Sequence, residues 1–221
     1  MSKPEDSYKA RGLRRQLVKE IERKGISDIN VLKAFEKVPR HFFFDPIFLE
    51  HAYEDKAFPI GEGQTISQPY TVAFQTALLE VTKGSKILEI GTGSGYQAAI
   101  LCELGADVYS IEYQEKLYKK TQKFLPKIGY NPHLFQGDGS LGLPEYMPYD
   151  GVIVTAGAPN APQALLAQLQ VGGFLVAPIG DRKTQKMVRF QKVDKNKIRK
   201  KVYSNFSFVP LLGKEGWNRN G

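Results

Sequence analysis

Three glycines at alternate positions follow a short apolar segment near the middle of the chain. The segment Lys86–Ile90 has the composition of a buried parallel strand, and the glycines come directly after it, at Gly91, Gly93 and Gly95. Residues 96–104 then show helical spacing and end at Gly105, a common residue behind a helix C-terminus. A turn without side chains lets the backbone approach a ligand, and the free N–H groups of the first helical turn attract its anionic end. The pattern therefore predicts a half-site for a nucleotide-like ligand.

The spacing of these glycines distinguishes between two classes of ligand. The dinucleotide fingerprint G-x-G-x-x-G/A needs a small residue at its third position, and counting from Gly91 that position is Tyr96. The segment instead has the form E-x-G-x-G-x-G, which resembles the glycine turn of class I S-adenosylmethionine methyltransferases. Its first residue, Glu89, suits a ligand with both an ammonium group and a carboxylate, as methionine has. We predict that Glu89, Gly91 and Gly93 contact this cofactor.

Further polar residues stand at the ends of the following predicted strands. Glu112 ends the segment 106–112, about 20 residues beyond the first glycine, where an acid accepts hydrogen bonds from a ribose diol. Asp138 and Gly139 follow a strand at 133–136 and are placed to contact an adenine ring. Because ligands on parallel sheets bind outside the carboxyl ends of the strands, these residues should converge on one crevice.

Strands alternate with helices over residues 86–180, which predicts an α/β fold with a doubly wound, mostly parallel sheet of the Rossmann-like type. Segments 187–193 and 199–209 face each other across a short turn and predict an antiparallel C-terminal hairpin. Such a final pair suits a methyltransferase better than a dehydrogenase. Helices are expected over 8–24, 28–38, 70–81, 96–104, 114–128 and 159–170.

A length of 221 residues suits one α/β domain with an appendage. We expect a single domain over 1–221, made of an N-terminal helical appendage (1–56), a cofactor-binding core (57–180) and a C-terminal hairpin and tail (181–221). The polar N-terminus has no apolar core for secretion, no apolar segment approaches a membrane span, and Cys102 has no partner for a disulfide. The cytoplasm is the expected location.

The net charge of +8 raises the question of a nucleic-acid partner. The lysines and arginines cluster on predicted helix faces and turns, without the interleaved aromatic residues of a base-stacking surface, at 116–123, 182–186 and 195–201. We therefore interpret them as solvated surface and expect no stable nucleic-acid partner, no membrane partner and a monomeric chain.

A loop over residues 57–69, with two glycines and two prolines, precedes the helix predicted from residue 70. Ser67 stands two residues before Pro69, and this spacing favours a helix N-cap over a functional hydroxyl. The alternative is that Ser67 lies on a loop covering the mouth of the cofactor site. Spacing does not separate the two roles further.

Most of the chain resembles the protein-L-isoaspartate O-methyltransferase family. The resemblance is carried by four segments, at residues 61–70, 88–96, 137–139 and 149–156 with 172–173, and the end of the chain is similar as well, at 208–211 and 213–217. The glycine turn is common to many methyltransferases, whereas Gln64–Pro69 is specific to this family.

The resemblance implies transfer of a methyl group from S-adenosylmethionine to the free carboxylate of an isoaspartyl residue in a damaged protein or peptide, with S-adenosylhomocysteine as product and a succinimide as the next species. It implies that Ser67 is the active-site serine and that Thr65, Ile66 and Ser67 lie over the cofactor. Glu112, Asp138 and Gly139 would contact adenosine, and no metal is implied. A carboxylate is already a nucleophile at neutral pH, so no general base is needed.

Two other readings of the residues stay open. One is a methyltransferase that acts on RNA or a small molecule, although the Asn/Asp-Pro-Pro-Tyr type of motif used for amines is replaced here by Thr155–Pro159. The other is a non-catalytic adenosine-binding module, which would leave the segment Gln64–Pro69 without a purpose.

Overall fold

The computed structural model describes residues 5–217. Its helices are α1 (Tyr8–Arg23), α2 (Ile29–Lys37), α3 (Pro69–Leu79), α4 (Tyr96–Glu103), α5 (Glu115–Phe124) and α6 (Gln163–Ala167). Its strands are β1 (Phe58–Gly61), β2 (Gln64–Ile66), β3 (Lys86–Ile90), β4 (Asp107–Glu112), β5 (His133–Gln136), β6 (Tyr149–Val154), β7 (Leu169–Gly180), β8 (Gln185–Asp194) and β9 (Lys197–Phe206). Short 3-10 helices lie at Arg40–Phe43, Pro46–His51, Leu125–Ile128, Gly139–Leu141 and Pro144–Tyr146.

Seven strands form one sheet in the order β5-β4-β3-β6-β7-β8-β9. The neighbours from β5 to β7 pair in parallel, and β8 and β9 pair antiparallel. The doubly wound, mostly parallel sheet with an antiparallel C-terminal hairpin is therefore confirmed. The chain leaves β3 toward β4 on one side and later returns to β6 on the other. The crevice above β3, β4 and β6 is thus the switch point where such sheets bind ligands.

Both faces of the sheet are buried, which explains the apolar character of its central strands. Ile87 and Ile153 face a core shared with α1 to α4, whereas Leu88 and Val152 face a second core with α6. All four side chains are at most 1% exposed. Such close packing fixes the strand ends that carry the site.

The N-terminal helices form as their apolar spacing predicts. On α1 the buried stripe includes Leu17 and Ile21, and on α2 it includes Val31 and Phe35. Asp28 caps α2 by accepting hydrogen bonds from two backbone N–H groups of its first turn. The helices are followed by the aromatic segment Phe42–Phe44, which packs against the core.

Three elements differ from the sequence-based expectations. The helix expected over 114–128 ends at Phe124, because Pro126 has no N–H to continue it and the chain tightens into a 3-10 turn. The helix expected over 159–170 is reduced to α6, since the backbone of Leu169 already pairs with Tyr149 in the sheet. The loop over 57–69 contains the β1–β2 hairpin, whose turn at Glu62 and Gly63 has positive φ.

Within residues 5–217, no helix combines the length and the apolar character that crossing a membrane requires. The same part of the chain holds no cluster of three or more His, Cys, Asp or Glu side chains suited to a metal ion.

Candidate active site

A cleft with an empty volume of about 840 Å³ lies at the carboxyl ends of β3, β4 and β6. Strand β2 with Ser67, and the C-terminal residues 209–212, also line it. Predicted site residues that line it are Thr65, Ile66, Ser67, Gly91, Gly93, Glu112 and Gly139. The structure thus brings seven of the nine predicted residues to one cleft, and Glu89 and Asp138 lie behind its walls.

The glycine turn between β3 and α4 has backbone angles that residues with a side chain rarely adopt. Gly91, Gly93 and Gly95 all have positive φ, at 95°, 52° and 84°. A Cβ atom added at Gly91 would lie 2.5 Å from Thr155 Oγ1. That hydroxyl is held in place because it hydrogen-bonds to the carbonyl oxygens of Ile90 and Gly91, at 2.9 and 2.7 Å. The conformation of the turn therefore depends on its own glycines, and the hydroxyl of Thr155, the residue after β6, holds it in place.

Glu112 lies at the floor of the cleft beside the glycine turn. Its Oε2 accepts a hydrogen bond from Gly93 N at 2.7 Å, and its Oε1 accepts one from Gln114 N at 2.8 Å. Burial raises the pKa of this carboxyl, and the backbone N–H groups oppose that rise. Glu112 forms no ion pair with any residue in the described range, and a carboxylate accepts hydrogen bonds, which suits the hydroxyl donors of a ligand.

Glu89 is fully buried, and hydrogen bonds through Ser110 connect it to Thr92 in the glycine turn. It accepts a hydrogen bond from the Ser110 hydroxyl, which in turn lies 2.6 Å from Thr92 Oγ1. Its Oε1 has no partner within the described residues, and burial raises the pKa of its carboxyl to about 8. This position lets Glu89 support the turn from beneath, rather than line the cleft.

Asp138 also lies behind the cleft wall, and its carboxylate is already engaged. Oδ1 accepts hydrogen bonds from the backbone N and the hydroxyl of Ser140, at 3.0 and 2.6 Å, and Oδ2 accepts one from Lys214 N at 2.8 Å. The neighbouring Gly139 lines the cleft, and a Cβ atom there would lie 2.7 Å from Ile90 Cγ2. Asp138 thus holds the C-terminal segment over the cleft. Gly139 presents its backbone to the cleft.

Ser67 does not cap α3, so the cap interpretation favoured by spacing alone is wrong. The N-cap residue is Gln68, whose side chain makes no capping bond. Instead, Asp55 Oδ1 accepts a hydrogen bond from Tyr70 N at 2.7 Å and satisfies the helix start from an upstream loop. Ser67 instead lines the cleft, so its role as a hydroxyl at the mouth of the cleft stays a prediction.

A second, larger space adjoins the cleft at Ser67. This groove has an empty volume of about 1850 Å³ and runs along the end of β9. Its lining includes Thr71, Thr184 and the residues 204–209, and it shares with the cleft Thr65, Ser67, Thr155 and Val209. Ser67 therefore stands on the boundary between two spaces, one lined by the glycine turn and one by the sheet edge.

Arg40 was not singled out by its residue type, yet it fixes the Ser67 segment. The guanidinium is fully buried, and its Nη2 donates to Ser67 O at 2.9 Å and to Lys56 O at 3.3 Å. It also lies over the Tyr96 ring, 4.8 Å from the centroid, and burial lowers its pKa to about 10. Its Nε and Nη1 have no partner among the described residues.

Two buried glutamines in the cleft lining were also missed. Gln75 donates to Val154 O at 2.9 Å, and Gln97 donates to Thr76 Oγ1 at 3.0 Å. Gln97 Oε1 is buried without a partner in the described structure. The signal that would have found them is a polar side chain among otherwise apolar residues in α3 and α4.

The strand order and the glycine turn at the switch point define a Rossmann-like methyltransferase. The comparisons with known proteins are more specific. The family model described as protein-L-isoaspartate(D-aspartate) O-methyltransferase (PCMT) matches residues 12–216. This chain belongs to that family.

Curated relatives agree in length as well as in sequence. The protein-L-isoaspartate O-methyltransferase of Cytophaga hutchinsonii is 58% identical over 214 residues, covering 97% of each chain. That of Christiangramia forsetii is 58% identical over 208 residues, covering 94% of this chain and 97% of its own.

Solved structures support the fold. One protein-L-isoaspartate O-methyltransferase structure has a TM-score of 0.80 at 30% identity, covering 91% of this chain and 66% of its own. A Plasmodium falciparum structure in complex with S-adenosyl-L-homocysteine has a TM-score of 0.77 at 23% identity, covering 90% and 98%, and at that identity shows the shared fold alone.

Proposed function

We propose that this chain transfers the methyl group of S-adenosylmethionine to the free carboxylate of L-isoaspartyl residues in damaged proteins and peptides. Family membership and the names of the relatives support this activity. The observation that carries the proposal is the position of Ser67 on the boundary between the cleft and the groove along β9. A methyl donor in the cleft and a peptide in the groove would meet at this side chain.

The residues of the cleft fit the proposed cofactor. The cleft presents backbone at its glycine positions, where added Cβ atoms at Gly91 and Gly139 would meet neighbouring side chains within 3 Å. A buried carboxylate without an ion pair suits a ribose diol. We assign Glu112 to the ribose, the backbone of Gly91 and Gly93 to the methionine end, and Gly139 to the adenine.

The other predicted residues take positions around this arrangement. Thr65, Ile66 and Ser67 would cover the cofactor, and Ile66 is 3% exposed. Glu89 and Asp138 would act through their neighbours, because Glu89 supports the glycine turn and Asp138 holds the C-terminal segment. The buried acceptor Gln97 Oε1 is a further candidate for the cofactor's ammonium group.

When bound, S-adenosylmethionine supplies a methyl group activated by a positive sulfur. The attacking isoaspartyl carboxylate is ionised at neutral pH, so the chain need not provide a general base. Its own contribution is to exclude water and to align the two groups, which is worth several powers of ten in rate. Ser67 orients the incoming carboxylate with its hydroxyl. The backbone amide nitrogen of the residue that follows in the substrate would then attack the methyl ester and expel methanol, which gives a succinimide without help from the enzyme.

The substrate assignment is tested with labelled S-adenosylmethionine and two peptides that differ only in an isoaspartyl or an aspartyl linkage. We expect label on the isoaspartyl peptide alone, released as methanol at alkaline pH. Equal labelling of both peptides, or label on added RNA in their place, would contradict the substrate assignment. The same proposal expects the protein to act in the cytoplasm. It also expects a monomer without stable nucleic-acid binding, and sedimentation with and without RNA measures the mass of the protein and its binding to RNA.

The role of Ser67 is tested separately with Ser67→Ala. Loss of one hydrogen bond to a charged carboxylate predicts a fall in kcat of about tenfold to a hundredfold. Cofactor affinity should change by no more than roughly threefold, because the cleft floor is untouched. Ser27→Ala, an exposed serine outside both the cleft and the groove, is the matched control and should retain full turnover. Unchanged kcat for Ser67→Ala would remove this serine from the mechanism.

A further inference from the structure

An apolar cavity lies on the far side of the glycine turn from the cofactor cleft. Its empty volume, including the open mouth, is about 1560 Å³. Its walls come from the aromatic segment Phe42–Phe44, from Ile60 on β1, and from Leu117, Phe124 and Ile128 on and behind α5. Phe43 and Phe124 meet edge to face with ring centroids 5.4 Å apart. The interior therefore offers aromatic and aliphatic carbon to an occupant.

The rim of this apolar cavity is positively charged. Lys120, Lys123 and Lys127 line it, and no acidic side chain does so. None of the three ammonium groups has an ion pair or hydrogen bond within residues 5–217. Two other lysines of α5 differ, since Lys116 bonds to Glu62 at 3.0 Å and Lys119 to Glu115 at 2.6 Å. The unpaired lysines of the helix are thus the ones at the cavity.

The apolar cavity shares a wall with the cofactor cleft but not its interior. Gly93 and Ser94 line both spaces. Thr121, in the cavity lining, donates its hydroxyl to Gly93 O at 2.8 Å and so has no free proton for a ligand. An occupant would find few polar partners inside and several cations at the mouth.

We propose that the apolar cavity binds a medium-chain fatty acid, with the alkyl chain between Phe43 and Ile128 and the carboxylate among Lys120, Lys123 and Lys127. Concave apolar spaces with a few convergent polar groups are the usual form of a small-molecule site. A cation would be repelled by the rim. A nucleotide or sugar would leave its polar groups without partners in the interior.

Calorimetric titration of the whole protein with decanoate tests this site. We expect saturable binding of decanoate, with decan-1-ol weaker by at least about tenfold because it lacks the charge that the lysines attract. Binding should persist when S-adenosylhomocysteine is present in excess. Equal binding of the alcohol, displacement by S-adenosylhomocysteine, or no binding of decanoate would each overturn the proposal.

Two sets of variants place the ligand. Lys120→Gln with Lys123→Gln should weaken decanoate by at least about tenfold, whereas Lys116→Gln with Lys119→Gln removes the same charge from the same helix and should leave it within roughly twofold. Ile128→Trp should weaken decanoate by at least about tenfold, because the larger ring occupies space assigned to the alkyl chain, with an unchanged melting temperature as the check on folding. Equal effects of the two lysine pairs, or full binding by a folded Ile128→Trp protein, would contradict the assignment.

Discussion

Two strand-to-helix turns face each other across the cleft, and they are held in different ways. The turn from β3 to α4 contains three glycines with positive φ. The turn from β2 to α3 has no glycine between Ile66 and Pro69. It is held instead by side chains from upstream, since Arg40 binds the carbonyl oxygen of Ser67 and Asp55 accepts from the N–H of Tyr70.

This difference separates the proposed roles of the two turns. The glycine turn offers backbone to a ligand, and its shape depends on its own glycines together with the side chains of Thr155 and Glu112 at the ends of the neighbouring strands. The Ser67 turn offers a side chain, and its position depends on the N-terminal segment. Changes inside the first turn should therefore affect cofactor affinity, and changes to the supports of the second should affect turnover.

Gly91→Ala should have the largest effect. The added Cβ would lie 2.5 Å from Thr155 Oγ1, and the residue would keep φ near 95°. Moving Thr155 breaks its hydrogen bonds to the turn, so we expect cofactor affinity to fall by about a hundredfold or more, equivalent to roughly 3 kcal/mol. Calorimetry with S-adenosylhomocysteine measures this.

Gly129→Ala is the control for backbone strain at Gly91. Gly129 has the same φ of 95°, and a Cβ there meets nothing within 4 Å. It should cost about 1 kcal/mol of stability and leave cofactor affinity unchanged. If both variants lower cofactor affinity equally, backbone strain explains the effect better than crowding at Gly91. The hydrogen bonds from Thr155 to the turn would then have no role in binding.

Arg40→Met should mainly reduce turnover. It leaves the carbonyl oxygens of Ser67 and Lys56 without their buried donor and frees the Ser67 turn to move. Loss of a charged hydrogen bond worth about 2 kcal/mol predicts a kcat lower by about thirtyfold. Cofactor affinity should stay within roughly threefold of the parent value.

Arg40→Lys distinguishes positioning from packing. An ammonium group reaches one of the two carbonyl oxygens, so this variant should recover part of kcat without any further change in cofactor affinity. Equal losses of kcat and of cofactor affinity in Arg40→Met would show that Arg40 supports the whole cleft, and would remove the contrast between the two turns.

The same contrast explains how much the sequence could predict. The glycine turn, the strand that precedes it and Glu112 were predictable, because each depends on residues close together in the chain or on regular strand spacing. The cap of α3 was not, because Asp55 is brought to Tyr70 by the fold. Nor was the fixing of Ser67 by Arg40, since an arginine in an aromatic segment carries no local sign of burial.

Side-chain direction was the other unpredictable quantity. Glu89 and Asp138 stand at the expected strand ends, yet one points beneath the turn toward Ser110 and the other toward Ser140 and the C-terminal segment. Spacing places a residue at the carboxyl end of a strand. The neighbouring hydrogen-bond donors decide whether its carboxylate faces the cleft.

Glu112→Gln should weaken the cofactor without changing kcat at saturation. The amide keeps one acceptor, but its NH₂ group faces a backbone N–H that now donates to the carboxylate, from either Gly93 or Gln114. Loss of a charged acceptor predicts affinity lower by about tenfold, or roughly 1.4 kcal/mol. Glu115→Gln, an exposed neighbour on α5, is the control and should leave affinity unchanged. An equal loss in both variants would indicate a general charge effect in place of a ribose contact.

Glu89→Gln should have the smallest effect on the cofactor and a distinct effect on stability. Burial raises the pKa of Glu89 from 4.5 to about 8, so the folded protein holds a proton there that the unfolded chain releases at lower pH. The stabilisation from this proton is complete below the unfolded pKa of 4.5 and is lost as pH rises toward about 8. Glutamine cannot titrate and removes this dependence.

The free energy of unfolding of Glu89→Gln minus that of the parent should therefore rise with pH between 4.5 and about 8, by up to about 1.4 kcal/mol per pH unit. Urea denaturation of both proteins across this range measures the difference, and the titration of Asp6 and of other groups common to both largely cancels. A difference that stays constant with pH would mean that Glu89 ionises normally in the folded protein. In that case a charged carboxylate, and not a neutral one bonded to Ser110, would support the glycine turn from beneath. The first turn would then depend on an electrostatic support as well as on its own glycines.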